Sequence, residues 1–204
     1  MENLIVVQHC QSEHHINGLT GGWTDTPLTE LGRQQARQVA LRLQCHGGIE
    51  NFDLFSSDLL RAHQTAQEIG SILNKHIAVF QTLREMNLGS ATGKTREWFD
   101  QHRRPLPRQG KLDHRMLDDA ETIREHYNRV TEFLEALGQK SVENALVVTH
   151  GGVVPHIMFW WLGIPVDLQD SFYANGRPAG LTILSKNPQS GGPVLNCFND
   201  MSHV

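Results

Sequence analysis

Val6-Val7-Gln8-His9-Cys10-Gln11-Ser12, near the start of the chain, and Val147-Val148-Thr149-His150-Gly151-Gly152, near its end, share one pattern. Each is a β-branched, apolar run that stops at a histidine and then turns. Such a run suits a strand buried on both faces of a parallel sheet. Each histidine then falls at the carboxyl edge of that sheet, where open α/β sheets bind their ligands. The pattern predicts that His9 and His150 meet in one pocket.

Working outward, the 204 residues are 39% hydrophobic and 20% charged, an ordinary soluble composition with enough apolar chain for one full core. A single domain over 1–204 is expected. No apolar run approaches the roughly 20 residues of a membrane span, and the N-terminus carries no basic region or cleavage site. The formal net charge of -4 argues against nucleic acid as a partner. Cys10, Cys45 and Cys197 are too few and too scattered for a disulfide framework or a zinc knuckle. A reducing cytoplasm is the expected setting. A homodimer is left open, since the sequence does not fix an oligomeric state.

Strand and helix patterns alternate. Strands are expected at Leu4–Gln8, Phe52–Phe55, Ile77–Phe80, Ala145–Thr149 and Leu181–Ser185, with an edge strand at Val194–Phe198. Gln11–Thr26 reads as a loop. Thr29 caps a helix whose stripe is Ala36, Val39, Ala40 and Leu43. Ser57 is the expected cap of the next helix, which buries Ala62, Ala66, Ile69, Ile72 and Leu73. Glu121–Leu137 is amphipathic through Ile123, Tyr127, Val130, Phe133, Leu134 and Leu137, with Gly138 as its stop. Val153–Leu162 is a buried helix. This alternation predicts a three-layer α/β/α sandwich around a mostly parallel sheet. Residues 89–119 are polar and irregular, and they carry Arg96, Arg103, Arg104, Arg108, Lys111 and Arg115. They read as an excursion that roofs the pocket and sets specificity, with a solvated loop as the plain alternative.

Four positions carry candidate chemistry. His9 and His150 follow strand ends, and Gly151-Gly152 opens a helix N-terminus suited to an anion. Arg61 lies near the start of its helix and can reach back to hold an oxyanion through parallel N–H bonds. Glu85, just after the third strand, is a candidate general acid.

At this point the chain resembles the histidine phosphatase superfamily, also called phosphoglycerate mutase-like. The resemblance runs from about residue 4 to residue 184. It rests on Gly22-Trp23-Thr24-Asp25-Thr26-Pro27-Leu28-Thr29-Glu30-Leu31-Gly32, on the Ser-Ser-x-Leu-x-Arg-Ala-x-Gln-Thr-Ala stretch at 56–66, on Leu83-Arg84-Glu85, and on 147–152. It implies a small phosphorylated substrate and a phosphohistidine on His9, with Arg61 and His150 on the phosphoryl oxygens and Glu85 as proton donor. It also implies substrate contacts from Gln8, Ser12, Thr24, Arg61 and Gly151. No cofactor or metal is expected, because arginine and histidine supply the positive charge.

The match breaks at its first motif, where Gln8-His9-Cys10 stands for the family's Arg-His-Gly. Gln8 is neutral and presents a carbonyl that repels phosphate, so weakened activity is expected. His15 stands where many members have asparagine, and a charged His14 or His15 is one replacement for the missing arginine. Two alternatives keep the family reading: a phosphate-binding protein with little turnover, and a mutase. Two others use different chemistry. A cysteine phosphatase on Cys10 needs an arginine six positions on, and position 16 is Ile. A metal hydrolase on His9, His14 and His15 lacks a nearby carboxylate cluster.

Overall fold

The computed structural model describes residues 1–171 and 174–204. Its strands are β1 (Asn3–Gln8), β2 (Asp53–Ser57), β3 (Ile77–Phe80), β4 (Asn144–Thr149), β5 (Leu181–Lys186) and β6 (Pro193–Asp200). They form one sheet in the order β3-β2-β4-β1-β5-β6. The first four run parallel, while β5 and β6 pair antiparallel, with β6 the edge strand expected from the sequence.

The helices are α1 (Glu13–Ile16), α2 (Glu30–Gln44), α3 (Leu60–Leu73), α4 (Arg96–His102), α5 (Ile123–Gln139) and α6 (Val153–Leu162). Alternate residues of β1 feed two cores. Ile5 and Val7 pack with Ala36, Val39 and Ala40 of α2 and with Ala62, Ala66 and Ile69 of α3. Leu4 and Val6 pack with Val130, Phe133 and Leu134 of α5 and with Val153 and Ile157 of α6. Burial on both faces explains why β1 and β4 read as continuous apolar runs rather than alternating ones. The three-layer α/β/α sandwich is therefore present, with helices on both sides of the sheet.

Five local expectations change. Ser57 does not cap α3: it is the last residue of β2, opposite Phe80, and Leu59 is the cap. Gly138 does not stop α5. The helix runs on until Lys140 caps it, and the left-handed turn (φ 58°) falls at Ser141. Glycine ends a helix when it takes a positive φ, and Gly138 does not. Tyr127 yields its place on the buried face of α5 to His126, which is 1% exposed. Two stretches read as irregular each hold a helix: α1 lies within 11–26, and α4, capped by the Thr95 side chain, lies within 89–119.

Candidate active site

Parallel pairing sets the site. β1 and β4 are neighbours in register with Gln8 opposite Thr149, and the His9 N–H extends the ladder to the Thr149 carbonyl at 2.8 Å. His9 and His150 therefore emerge side by side at the carboxyl edge, with ring centroids 5.2 Å apart, edge to face. β2 delivers Arg61 through the start of α3, and β3 leads to Glu85 on the same edge.

His9 Nδ1 donates to the Cys10 carbonyl at 2.8 Å. That bond fixes the tautomer and leaves the lone pair on Nε2, which accepts from Arg61 Nε at 3.1 Å. Burial, with the Arg61 charge beside it, pushes His9 well below the ordinary imidazole range, so the ring is neutral. Arg61 is 1% exposed, and burial brings its guanidinium down to about 10. Its Nη1 and Nη2 donate to the Thr24 and Gly22 carbonyls, at 2.8 Å each. The 22–24 loop thus aims the guanidinium at His9 and leaves two of its five N–H donors for a ligand. His150 binds the Ser57 hydroxyl through Nε2 at 2.8 Å, while its Nδ1 is buried with no partner among the described residues.

The Glu85 carboxylate accepts from the Gly152 N–H at 3.0 Å and from the Met86 N–H at 2.9 Å. A Cβ at Gly152 would stand 2.3 Å from Glu85 Oε1, so only glycine lets the carboxylate approach. The anion at the N-terminus of α6 is Glu85 itself, which seats the acid beside His150.

His14 and His15 complete a wall of imidazoles. The His15 ring stacks on His9 at 5.5 Å, and His14 and His15 are 4.0 Å apart. Burial lowers His14 to about 3 and His15 to about 4, so both are neutral in the unliganded site. His15 Nδ1 accepts from the Ser12 N–H, which leaves an N–H on Nε2. Ring nitrogens of His9, His14 and His15 lie within 4.8 Å of one another, a spacing that can gather a metal ion. The Arg61 guanidinium against His9 opposes a cation there.

The structure brings His9, Arg61, Glu85 and His150 together. The other residues expected to touch substrate lie around this group and make contacts within the protein. The Ser12 hydroxyl binds His14 Nδ1 at 2.9 Å, and the Thr24 hydroxyl accepts from the Gly93 N–H at 2.9 Å. Gln8 packs its carboxamide between Gly151 and Gly176. Cys10 is a buried core residue with its thiol pushed up to about 12, which removes it as a nucleophile. Its backbone is not in the left-handed region, so no strain follows from the loss of glycine.

Sequence reasoning missed the support under Glu85. Arg129 pairs with Glu121 at 2.8 Å and donates to the carbonyls of Thr82, Arg84 and Glu85. Thr149 Oγ1 holds the Leu83 carbonyl, and Trp23 Nε1 holds that of Glu85. Every carbonyl from 82 to 85 is tied. The only sequence signal was a charged pair eight residues apart, ordinary for a helix surface.

Residues 89–119 pack on the 18–24 loop, through Thr20 to Ala91 and Gly93 to Thr24. Their cations are largely spent on nearby acids, as in Arg103–Asp100, Arg104–Asp118 and Arg115–Glu125. The cavity beside Glu85 takes none of its described lining from 89–119.

A sequence model described as histidine phosphatase superfamily (branch 1) matches residues 4–201. A phosphoglycerate mutase-like protein 4 from Arabidopsis thaliana is 32% identical, over 74% of this chain and 67% of its own. An adenosylcobalamin/alpha-ribazole phosphatase from Escherichia coli is 28% identical, over 80% of this chain and 81% of its own. The solved structure of a mycobacterial glucosyl-3-phosphoglycerate phosphatase superposes with a TM-score of 0.81 at 24% identity, covering 97% of this chain and 98% of that one.

Proposed function

The chain belongs to the histidine phosphatase superfamily, branch 1, and from that premise we propose that it hydrolyses a small phosphomonoester through a phosphohistidine on His9. The observation that carries this reading is the Nε2 lone pair of His9, aimed at Arg61, with His150 beside it and Glu85 held at the Gly152 N–H next to His150. The relatives named as phosphatases point the same way.

In this scheme the phosphoryl group enters between His9 and Arg61. Nε2 attacks phosphorus in line, forming an N–P bond as the ester P–O bond breaks. The free N–H donors of Arg61, His150 and His15 meet the charge on the equatorial oxygens. Glu85 gives its proton to the departing alkoxide. It then takes one from the water that attacks the phosphohistidine, releasing phosphate and restoring the neutral ring. The scheme uses no metal. We infer a reducing, cytoplasmic setting, supported by three cysteines that remain free thiols.

The test is release of inorganic phosphate from p-nitrophenyl phosphate by wild type and by His9→Ala. Turnover by wild type and its loss in the variant are expected. Equal rates in the two would sink the enzyme. One observation favours a second reading, a phosphate-binding protein without turnover: Gln8 brings no cation, and Arg61 spends three donors inside the protein. Phosphate binding by wild type with no turnover would select it.

A further inference from the structure

Beside Glu85 lies a cavity of about 440 Å3, bordered by Gly151 and Gly152 on the site side. It therefore opens where a departing alcohol receives its proton. Met86, Ile123, Pro155 and Phe159 give it apolar walls.

Its imidazoles are already spent. Gln169 donates to His156 Nδ1 at 3.1 Å, His156 Nε2 donates to His126 Nδ1 at 3.1 Å, and His126 Nε2 donates to the Arg84 carbonyl at 3.3 Å. Each ring in this chain has one N–H and one lone pair, and both are used, so neither ring is a cation. No lysine or arginine is among the described residues of the lining. Arg129, whose charge reaches His126 and His156, pairs with Glu121, and Arg124, next to Ile123, pairs with Asp113 and Asp167.

Gln8 supplies an independent observation. It is 7% exposed, and its Oε1 is buried with no partner among the described residues. A Cβ on Gly176 would stand 2.2 Å from that oxygen, and Gly176 lines the cavity. Gln8 is not itself among the described lining residues, and it brings no cation to this side of the cavity. A wall of neutral groups with no cation makes the cavity hostile to a second acid group, since burying an unpaired charge is costly.

We propose that this cavity receives the alcohol half of the substrate and selects an uncharged alcohol with an apolar ring face, rejecting esters that carry a second carboxylate or phosphate. The assignment rests on the phosphatase reading for which half of the ester departs. His126, His156 and Gln169 set the neutral wall.

The experiment compares benzyl phosphate with 3-phosphoglycerate and phosphoserine, all leaving as alkoxides. Affinity is measured by calorimetry on His9→Ala, and kcat/KM on wild type. Benzyl phosphate should bind and turn over better by about tenfold or more. Ile123→Lys, at the solvent-facing start of α5, should shift the ratio toward the acidic esters by about tenfold. The proposal is overturned if the acidic esters match or beat benzyl phosphate in wild type, or if Ile123→Lys leaves the ratio unmoved. Should wild type hydrolyse no ester, the phosphatase reading fails, and the same affinity ratio measured on wild type still decides the cavity.

Discussion

At position 8 the side chain ends in a carboxamide flanked by two glycines, close to the phosphoryl site but with nothing donated to it. Gln8→Arg extends a guanidinium from the same strand end. A hydrogen bond to a charged group contributes about 1.5–3 kcal/mol, so inorganic phosphate should bind roughly 10- to 100-fold more tightly. The same change brings a cation beside Gly176, which lines the cavity, so preference for a neutral ester should fall. Competitive inhibition by phosphate reads the first effect. Weaker inhibition than in wild type would show that Gln8 is itself a phosphate ligand and not a vacancy in charge. The four central residues were legible because each stands just beyond a strand end, and strand ends are visible as apolar runs. Gln8 was visible as a departure, yet its partners were not. The two glycines that receive its side chain, Gly151 and Gly176, are separated from it by most of the chain, and only folding joins them.

Among the elements, α5 contributes most to chemistry it does not touch. Its Arg129 pairs with Glu121 just ahead of the helix, and the pair clamps the segment carrying the acid. Both side chains are 18% exposed, so little solvent screens them. Arg129→Met leaves Glu121 without this partner, frees the Thr82 carbonyl, and leaves the carbonyls of 84 and 85 to His126 and Trp23 alone. Loss of stability should approach the roughly 3–5 kcal/mol of breaking a buried pair. The catalytic consequence is separable from that loss. A misplaced general acid matters little when the leaving group needs no proton, and much when it does. Arg129→Met should therefore lower kcat on benzyl phosphate far more than on p-nitrophenyl phosphate, with Arg129→Lys in between. Equal losses on the two esters would make Arg129 purely structural. Helix periodicity shows that a face is buried, but not that an arginine on it reaches three carbonyls of a distant loop. The same limit explains Ser57. A serine before a helix suggests a cap, whereas here β-pairing extends through it and its hydroxyl goes to His150.

The whole molecule buries an unusual number of neutral imidazoles, and its stability should depend on pH accordingly. His9, His126, His150 and His156 are each at most 3% exposed. Burial is the largest cause holding all four below the ordinary range, with His156 at about 3. In the unfolded chain these rings titrate near the usual value of about 6.5. Above that pH neither state carries the protons and the rings do not affect the balance. As pH falls below it, the unfolded chain takes up protons that the folded chain refuses, so folding loses stability, down to the folded values. Each ring costs about 1.4 kcal/mol per pH unit in that window, and four independent rings cost about 4–5 kcal/mol between pH 6 and pH 5. A marginal domain has only about 5–15 kcal/mol to lose. Carboxylates held low by arginine, such as Asp58 by Arg84, work in the same direction but act only below about pH 4.5, where unfolded acids begin to protonate. The interval from pH 6 to pH 5 therefore isolates the histidines. Urea unfolding at pH 7, 6 and 5 should show midpoints that fall in the first step by roughly half as much as in the second, and calorimetry at pH 5 should show proton uptake on unfolding. Midpoints that stay level from pH 7 to pH 5 would mean that these rings already carry protons in the fold. His9 would then have no free lone pair with which to attack phosphorus.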